Sequence, residues 1–275
     1  MGDNIAIIGT AGRGTDARRI NRNLYDAMYQ EVCSAIDDWQ VFSAVSGGAA
    51  VADHLAVRAF LEGKVSNLTL YLPARFEKCA YVPNPAIRFN PGQTANNYHR
   101  AFSASCDIDS LAEIDAAIRQ GAKAVVIEGF KKRNLEVAAT CSHMVALTFG
   151  GIDLDGDDAN SWKEFFLSDD GFTNSIMAGL KDGGTASHGS AENDEKRRKC
   201  YQDFLPGDAG FTKSVTAGLR DGGTAHTWNE AWRPRIKRHV HVGMLLRCLS
   251  LDSVKMKKEE DASEDVPSAI SYPTR

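Results

Sequence analysis

Asn4-Ile-Ala-Ile-Ile-Gly9 runs straight into Thr10-Ala-Gly-Arg-Gly-Thr-Asp16, and residues 17–36 then read as a helix. An apolar run of strand formers stops at a glycine, small residues follow, and a helix begins. In α/β proteins this order holds phosphate groups: the loop leaves backbone N–H groups free, and the helix start adds a partial positive charge. Many parallel sheets open this way with no ligand, so the stretch speaks for fold class before it speaks for function.

The rhythm continues. Val41–Val45 is a second apolar run, ending in Ser46-Gly-Gly-Ala49, and a helical pattern follows through Ala52, Leu55, Ala56, Ala59 and Phe60. Leu68–Leu72 reads as a third strand, stopped by Pro73. Strand–helix alternation of this kind predicts an α/β fold, a Rossmann-like open parallel sheet with helices on both faces. Residues 74–97, with Pro83, Pro85 and Pro91, read as a long loop over one sheet edge. Residues 108–120 form an amphipathic helix closed by Gly121; another helix near Lys131–Cys141 leads into the strand Met144–Phe149. A last strand is expected at Ile236–Val242, and its basic residues suggest a sheet edge.

Residues 150–220 interrupt this core as an insertion that repeats itself. Phe165–Ala186 returns in altered form as Asp203–Ala225, with a polar linker at Ser187–Lys199 between the copies. Two copies are too few for a solenoid, which leaves a local tandem duplication. The expected organisation is a core in two parts, residues 1–149 and 221–252, around the insertion 150–220, with a charged, flexible tail over 253–275.

At 275 residues and 43% hydrophobic content the chain has ample material for a core. A net charge of −4 gives no reason to expect nucleic acid or an anionic membrane as the main partner. No apolar stretch approaches transmembrane length, the first residues lack a signal peptide, and the six cysteines are scattered without a C-x-x-C pair. A cytoplasmic protein with reduced thiols is expected.

Four segments fall at strand ends, where open parallel sheets bind ligands: Gly9–Thr15, Ser46–Asp53, Gly129–Asn134 and Asp221–Trp228. Together they resemble the SLOG superfamily, which includes the LOG phosphoribohydrolases and the DprA-like and DUF2493-like branches. Gly47-Gly48-Ala49 with Ala52-Asp53 and Leu55-Ala56 is similar to a Gly-Gly-Ala-x-Gly-Ala-Asp-x-x-Ala element of the last branch. Pro73-Ala74, Arg133-Asn134 ahead of Val137-Ala138, and Gly222-Gly223-Thr224 are similar to its third-strand end, its Arg-Asn helix and its closing phosphate loop. Two departures stand out. Val51 takes the place of the second glycine of that element, and Thr227 takes the place of the LOG glutamate.

The resemblance implies a nucleotide or NAD-derived ligand held by Gly9, Thr10, Gly12, Arg13, Gly14, Gly47, Gly48, Arg133, Asn134, Gly222, Gly223 and Thr224. N-glycosidic hydrolysis needs a carboxylate near the ribose, and Asp53 and Glu128 are the acids near the expected mouth, with His226 as a proton carrier. Threonine at position 227 cannot act as a base, so turnover is expected to be slow or absent. His99, with Tyr98 and Arg100, follows the long loop and is a candidate to fold over a ligand. His239 and His241 share a strand face without a third ligand, and Asp153–Asp157 with Glu164 matches an EF-hand loop poorly; no metal and no tightly bound cofactor is expected. The alternative is an inactive Rossmann-like scaffold, a homo-oligomer or a subunit of a larger assembly, in which the duplicated insertion and tail make the contacts.

Overall fold

In the computed structural model Ile5–Gly9 forms β1, and Ile5, Ala6, Ile7 and Ile8 are all buried. A strand apolar on every residue has both faces covered, which places it at the centre of a parallel sheet. The structure describes residues 3–86, 88, 90–149, 201–204, 223–231, 236–243, 245–246 and 249. The duplicated copies, the EF-hand-like segment, Asp221–Gly222 and the charged tail lie outside these, apart from Tyr201–Phe204 and the residues from Gly223 on.

After β1 come α1 (Arg22–Trp39), β2 (Ser43–Ser46), α2 (His54–Leu61), β3 (Asn67–Leu72), and a small hairpin of β4 (Phe76–Glu77) and β5 (Ala80–Tyr81). The chain continues through α3 (Pro91–Cys106), α4 (Ser110–Arg119), β6 (Lys123–Val126), α5 (Phe130–Thr140) and β7 (His143–Thr148). Then follow β8 (Tyr201–Phe204), α6 (Gly223–Glu230) and β9 (Ile236–His241). The main sheet has the order β6-β3-β2-β1-β7-β9-β8. Its first six strands are parallel, and β8 closes the far edge antiparallel to β9. The chain builds outward from β1 to one side and then crosses to β7 on the other, so the switch point where such sheets bind ligands lies between β1 and β7.

Alternation along β1 sorts the two cores. Ile5 and Ile7 join α1, α2, α3 and α4 through Leu24, Met28, Leu55, Phe102 and Ile114. Ala6 and Ile8 face the other way, against Val137 and Ala138 of α5 and Trp228 of α6. The helices therefore cover both faces, as the sequence predicts.

Four details differ from the sequence reading. Glycine loop and helix are not joined directly: a 3-10 turn at Gly14–Arg18 intervenes, and α1 starts where the Asn21 side chain accepts from the Leu24 amide at 3.0 Å. The long loop over 74–97 is shorter and more ordered than expected, because Pro91 starts a helix. Asn90 accepts from the Gln93 amide at 3.2 Å, and a proline at the first helical position gives up only an orphan donor. β6 is an element the sequence reading omits; it is only four residues long and mostly exposed at the sheet edge. Finally, β9 is not the edge strand its basic residues suggest: β8, at Tyr201–Phe204 within the expected insertion 150–220 and absent from the sequence reading, pairs antiparallel along it and joins the main sheet. Lys237 and Arg238 are buried because Lys237 Nζ donates to the Trp228 carbonyl at 2.7 Å and Arg238 reaches Asp38 at 2.9 Å.

Candidate functional site

Strand β2 ends in Ser46, and the two glycines that follow are engaged by the protein itself. Arg133, at the start of α5, lies against Gly47: its Nη1 donates to the Gly47 carbonyl at 2.6 Å. A Cβ on Gly47 would stand 2.5 Å from the Arg133 Cζ, so only glycine lets the guanidinium approach. Asn134 steadies the same group, its Oδ1 accepting from Nε at 3.1 Å and from Nη2 at 2.8 Å. Asp53, at the head of α2, sits 3.9 Å from Nη1 and accepts from the Ala49 amide at 3.3 Å. Both charged groups are buried. Burial pushes the Asp53 carboxyl above its ordinary range, although Arg133 and backbone donors at Ala49, Gly47 and Gly9 pull the other way. Burial likewise disfavours the charged form of Arg133, partly offset by Asp53.

Gly48 is held from the opposite side. Its carbonyl accepts from the Tyr81 hydroxyl and, at 3.2 Å, from His99 Nε2. Because a carbonyl only accepts, that nitrogen carries the proton, and His99 Nδ1 takes the Ser110 hydroxyl at 3.0 Å. His54 repeats the pattern, with Nε2 on the Ser110 carbonyl at 3.2 Å and Nδ1 beside the Tyr25 hydroxyl at 2.9 Å. Desolvation lowers His54 to about 3 and His99 to about 4. Glu113 lies 3.4 Å from His54, yet the contact is not an ion pair, since burial keeps the ring neutral. His99 therefore does not fold over a ligand from outside; it is a wholly buried brace for the β2 loop. Arg100 is exposed and turns to Asn97. Tyr25, His54, Tyr81 and Ser110, which complete this support, are absent from the sequence reading, because no local pattern shows a partner dozens of residues away.

The loop after β1 is different in kind. Thr10 ties it down: its amide donates to the Leu147 carbonyl at 2.8 Å, and its carbonyl accepts from the Ala52 amide at 3.1 Å. The Thr10 hydroxyl accepts from the Gly12 amide and donates to Asp16, both at 3.2 Å. Gly12 and Gly14 have φ of +69° and +57°, in the left-handed region that favours glycine. Between them Arg13 is exposed, with its guanidinium 5.3 Å over the Tyr98 ring of α3. It pairs with no carboxylate among the described residues, and its charge is felt at Arg133.

Helix α6 brings the third segment to the same edge. Thr224, in its first turn, donates its hydroxyl to the Gly9 carbonyl at 2.7 Å. Gly223 opens the helix; Gly222 lies outside the described residues. His226 is half-buried, with Nδ1 buried and without a partner among the described residues. Thr227 and Trp228 are buried, and the indole packs with Val137, Met144 and Ala6, so it fills the core and does not cover a base. Glu128 is exposed in the turn between β6 and α5. His239 and His241 lie 4.3 Å apart between ring centres, the first bonded to Thr148 at 2.7 Å. Among the described residues no three His, Cys, Asp or Glu side chains gather to hold a metal ion, and no helix is long and apolar enough to cross a membrane.

An uncharacterized protein of Acanthamoeba polyphaga mimivirus shares 34% identity with this chain over 152 residues, which is 53% of this chain and 81% of that protein. The chain belongs to the family of that mimivirus protein. No model of a described family matches it, and no solved structure does. Membership of the mimivirus protein's family carries no activity with it, so the chemistry has to be argued from the edge of the sheet.

Proposed function

We propose that this chain binds a phosphorylated nucleoside at the C-terminal edge of its sheet, beside the β1–β7 switch point, and binds it without efficient turnover. The observation that carries the reading is the charge balance there. Arg13 is exposed between Gly12 and Gly14 and pairs with no carboxylate among the described residues, while buried Arg133, held by Gly47, Asn134 and Asp53, stands behind it as a second positive group. An exposed cation without a counter-charge, next to glycine-rich backbone and a helix start, is suited to phosphate. The order of motifs that resembles the SLOG superfamily supports the same ligand class, and so does the Thr224–Gly9 bond that joins the first and last of them.

The acids argue against catalysis. Asp53 is committed to Arg133 and the Ala49 amide, Glu128 is exposed in another turn, and position 227 is a buried threonine. Asp53 is therefore not free, and Glu128 follows edge strand β6, three strands from β1, so neither places a free carboxylate at the β1–β7 switch point to stabilise an oxocarbenium-like centre. Mass spectrometry of small molecules released from the purified full-length protein tests the ligand class. Incubation with nucleoside monophosphates, followed by chromatography for free base, tests turnover. A nucleotide retained and no base released is the expected result. Purified protein that carries no phosphorylated compound and takes up none in calorimetry would leave the scaffold reading in its place.

A further inference from the structure

Tyr98 offers something a phosphate site alone does not need. Its body packs against the core while one face of the ring lies under the guanidinium of Arg13, in the first half of α3. Its neighbours Asn96 and His99 point inward, to the Tyr81 backbone and the Gly48 carbonyl. Tyr98 alone of the three turns to the glycine loop of β1. The space lies on the Gly14 side of Arg13: a Cβ on Gly14 would meet nothing within 4 Å among the described residues, whereas Gly12 is packed against Ile20.

We propose that Tyr98 is the face on which the base of the bound nucleotide stacks, with Arg13 leaving the ring to meet the phosphate. The inference rests on the nucleotide reading above and narrows it: the ligand has an aromatic ring and is not a bare sugar phosphate. An exposed cation over an aromatic ring is worth only about 2- to 5-fold in an equilibrium. A nucleobase stacked on such a ring gains about 5- to 150-fold, so the exchange favours the base. Arg13 then finds in the phosphate the counter-charge that no described residue supplies.

The test is calorimetric titration of the full-length protein with two probes, AMP and ribose 5-phosphate, which differ by the base. In the unmodified protein AMP is expected to bind about 5- to 150-fold tighter. Tyr98→Leu should bring the two affinities together without moving ribose 5-phosphate by more than about 3-fold, and Tyr98→Phe should keep the original ratio. Thermal melting of both variants checks that α3 stays folded. A ratio that survives in Tyr98→Leu, or equal affinities in the unmodified protein, would overturn the stacking role while leaving phosphate binding in place. Failure of both probes to bind the unmodified protein would overturn the nucleotide reading, and this proposal with it.

Discussion

The loops after β1 and β2 look alike in sequence, each a strand ending in glycines, and they are built for different ends. After β2, the Gly47 and Gly48 carbonyls are taken by Arg133, Tyr81 and His99, and both glycines are buried. After β1, Gly14 has open space beside it and Arg13 is exposed without a carboxylate among the described residues. Gly47 and Gly48 make room for the protein's own side chains, and so do Gly9 and Gly12 in their own loop; Gly14 instead leaves open space beside an exposed cation. A glycine-rich strand end therefore says that something approaches closely, and only the partners on the page say whether it is a ligand.

If the β2 loop is a braced structural unit, breaking it should be costly. Arg133→Ala leaves Asp53 buried without its cation and is expected to destabilise the fold by about 3–5 kcal/mol, read from urea denaturation. A loss below about 1 kcal/mol would mean that Arg133 is held loosely and belongs with the ligand-facing groups instead.

The same brace makes stability depend on pH. His54 and His99 titrate at about 3 and about 4 when folded, against an ordinary 6.5. The unfolded chain binds more protons in that interval, so the stability these rings contribute is complete above pH 6.5 and is lost as pH falls toward their folded values. By pH 5 each should have cost about 2 kcal/mol relative to pH 8. Urea midpoints at the two pH values measure it, and His99→Gln should flatten the slope. An unchanged slope in that variant would show that other groups, such as the buried His239 and the half-buried His241, carry the acid sensitivity.

The β2 loop also holds the clearest trace of what the sequence could and could not show. Val51 stands where the resembling element has glycine, and its φ is +65°, a conformation a β-branched residue resists. The backbone at Val51 takes a conformation that glycine adopts freely. Since that strain is worth about 1–2 kcal/mol, Val51→Gly should be more stable than Val51→Ala by roughly that amount, the reverse of the usual order. Paired thermal melts decide it; an Ala variant as stable as the Gly variant would remove the strain.

Strand–helix alternation made the parallel sheet and its helices legible, because burial on both faces writes a continuous apolar run such as Ile5–Ile8. What stayed hidden was set by distant partners. Lys237 and Arg238 read as edge residues until Trp228 and Asp38 satisfy them, and Pro91 reads as a breaker until Asn90 caps the helix it starts. The glycines, Arg133 and Thr224 were visible as a set at strand ends. That His99 and Tyr81 would face Gly48, and that Tyr98 would face Arg13, depends on how α3 and β5 are laid over the sheet, and no spacing encodes it.

The smallest expected effect is on the open side of the comparison. Arg13→Ala removes an exposed contact with Tyr98 worth about 0.5–1 kcal/mol, and it also removes a positive charge that acts against Arg133. The two terms oppose each other, so the variant should melt within about 0.5 kcal/mol of the unmodified protein, far from the cost at Arg133. Raised salt should narrow even that difference, because an exposed cation is screened while a buried pair is not. If Arg13→Ala were instead destabilised by 2 kcal/mol or more on urea denaturation, about the loss of a buried charged hydrogen bond, the β1 loop would be as structural as its neighbour. The contrast between the two loops would then disappear, and with it the reason for placing a phosphate at one and not the other.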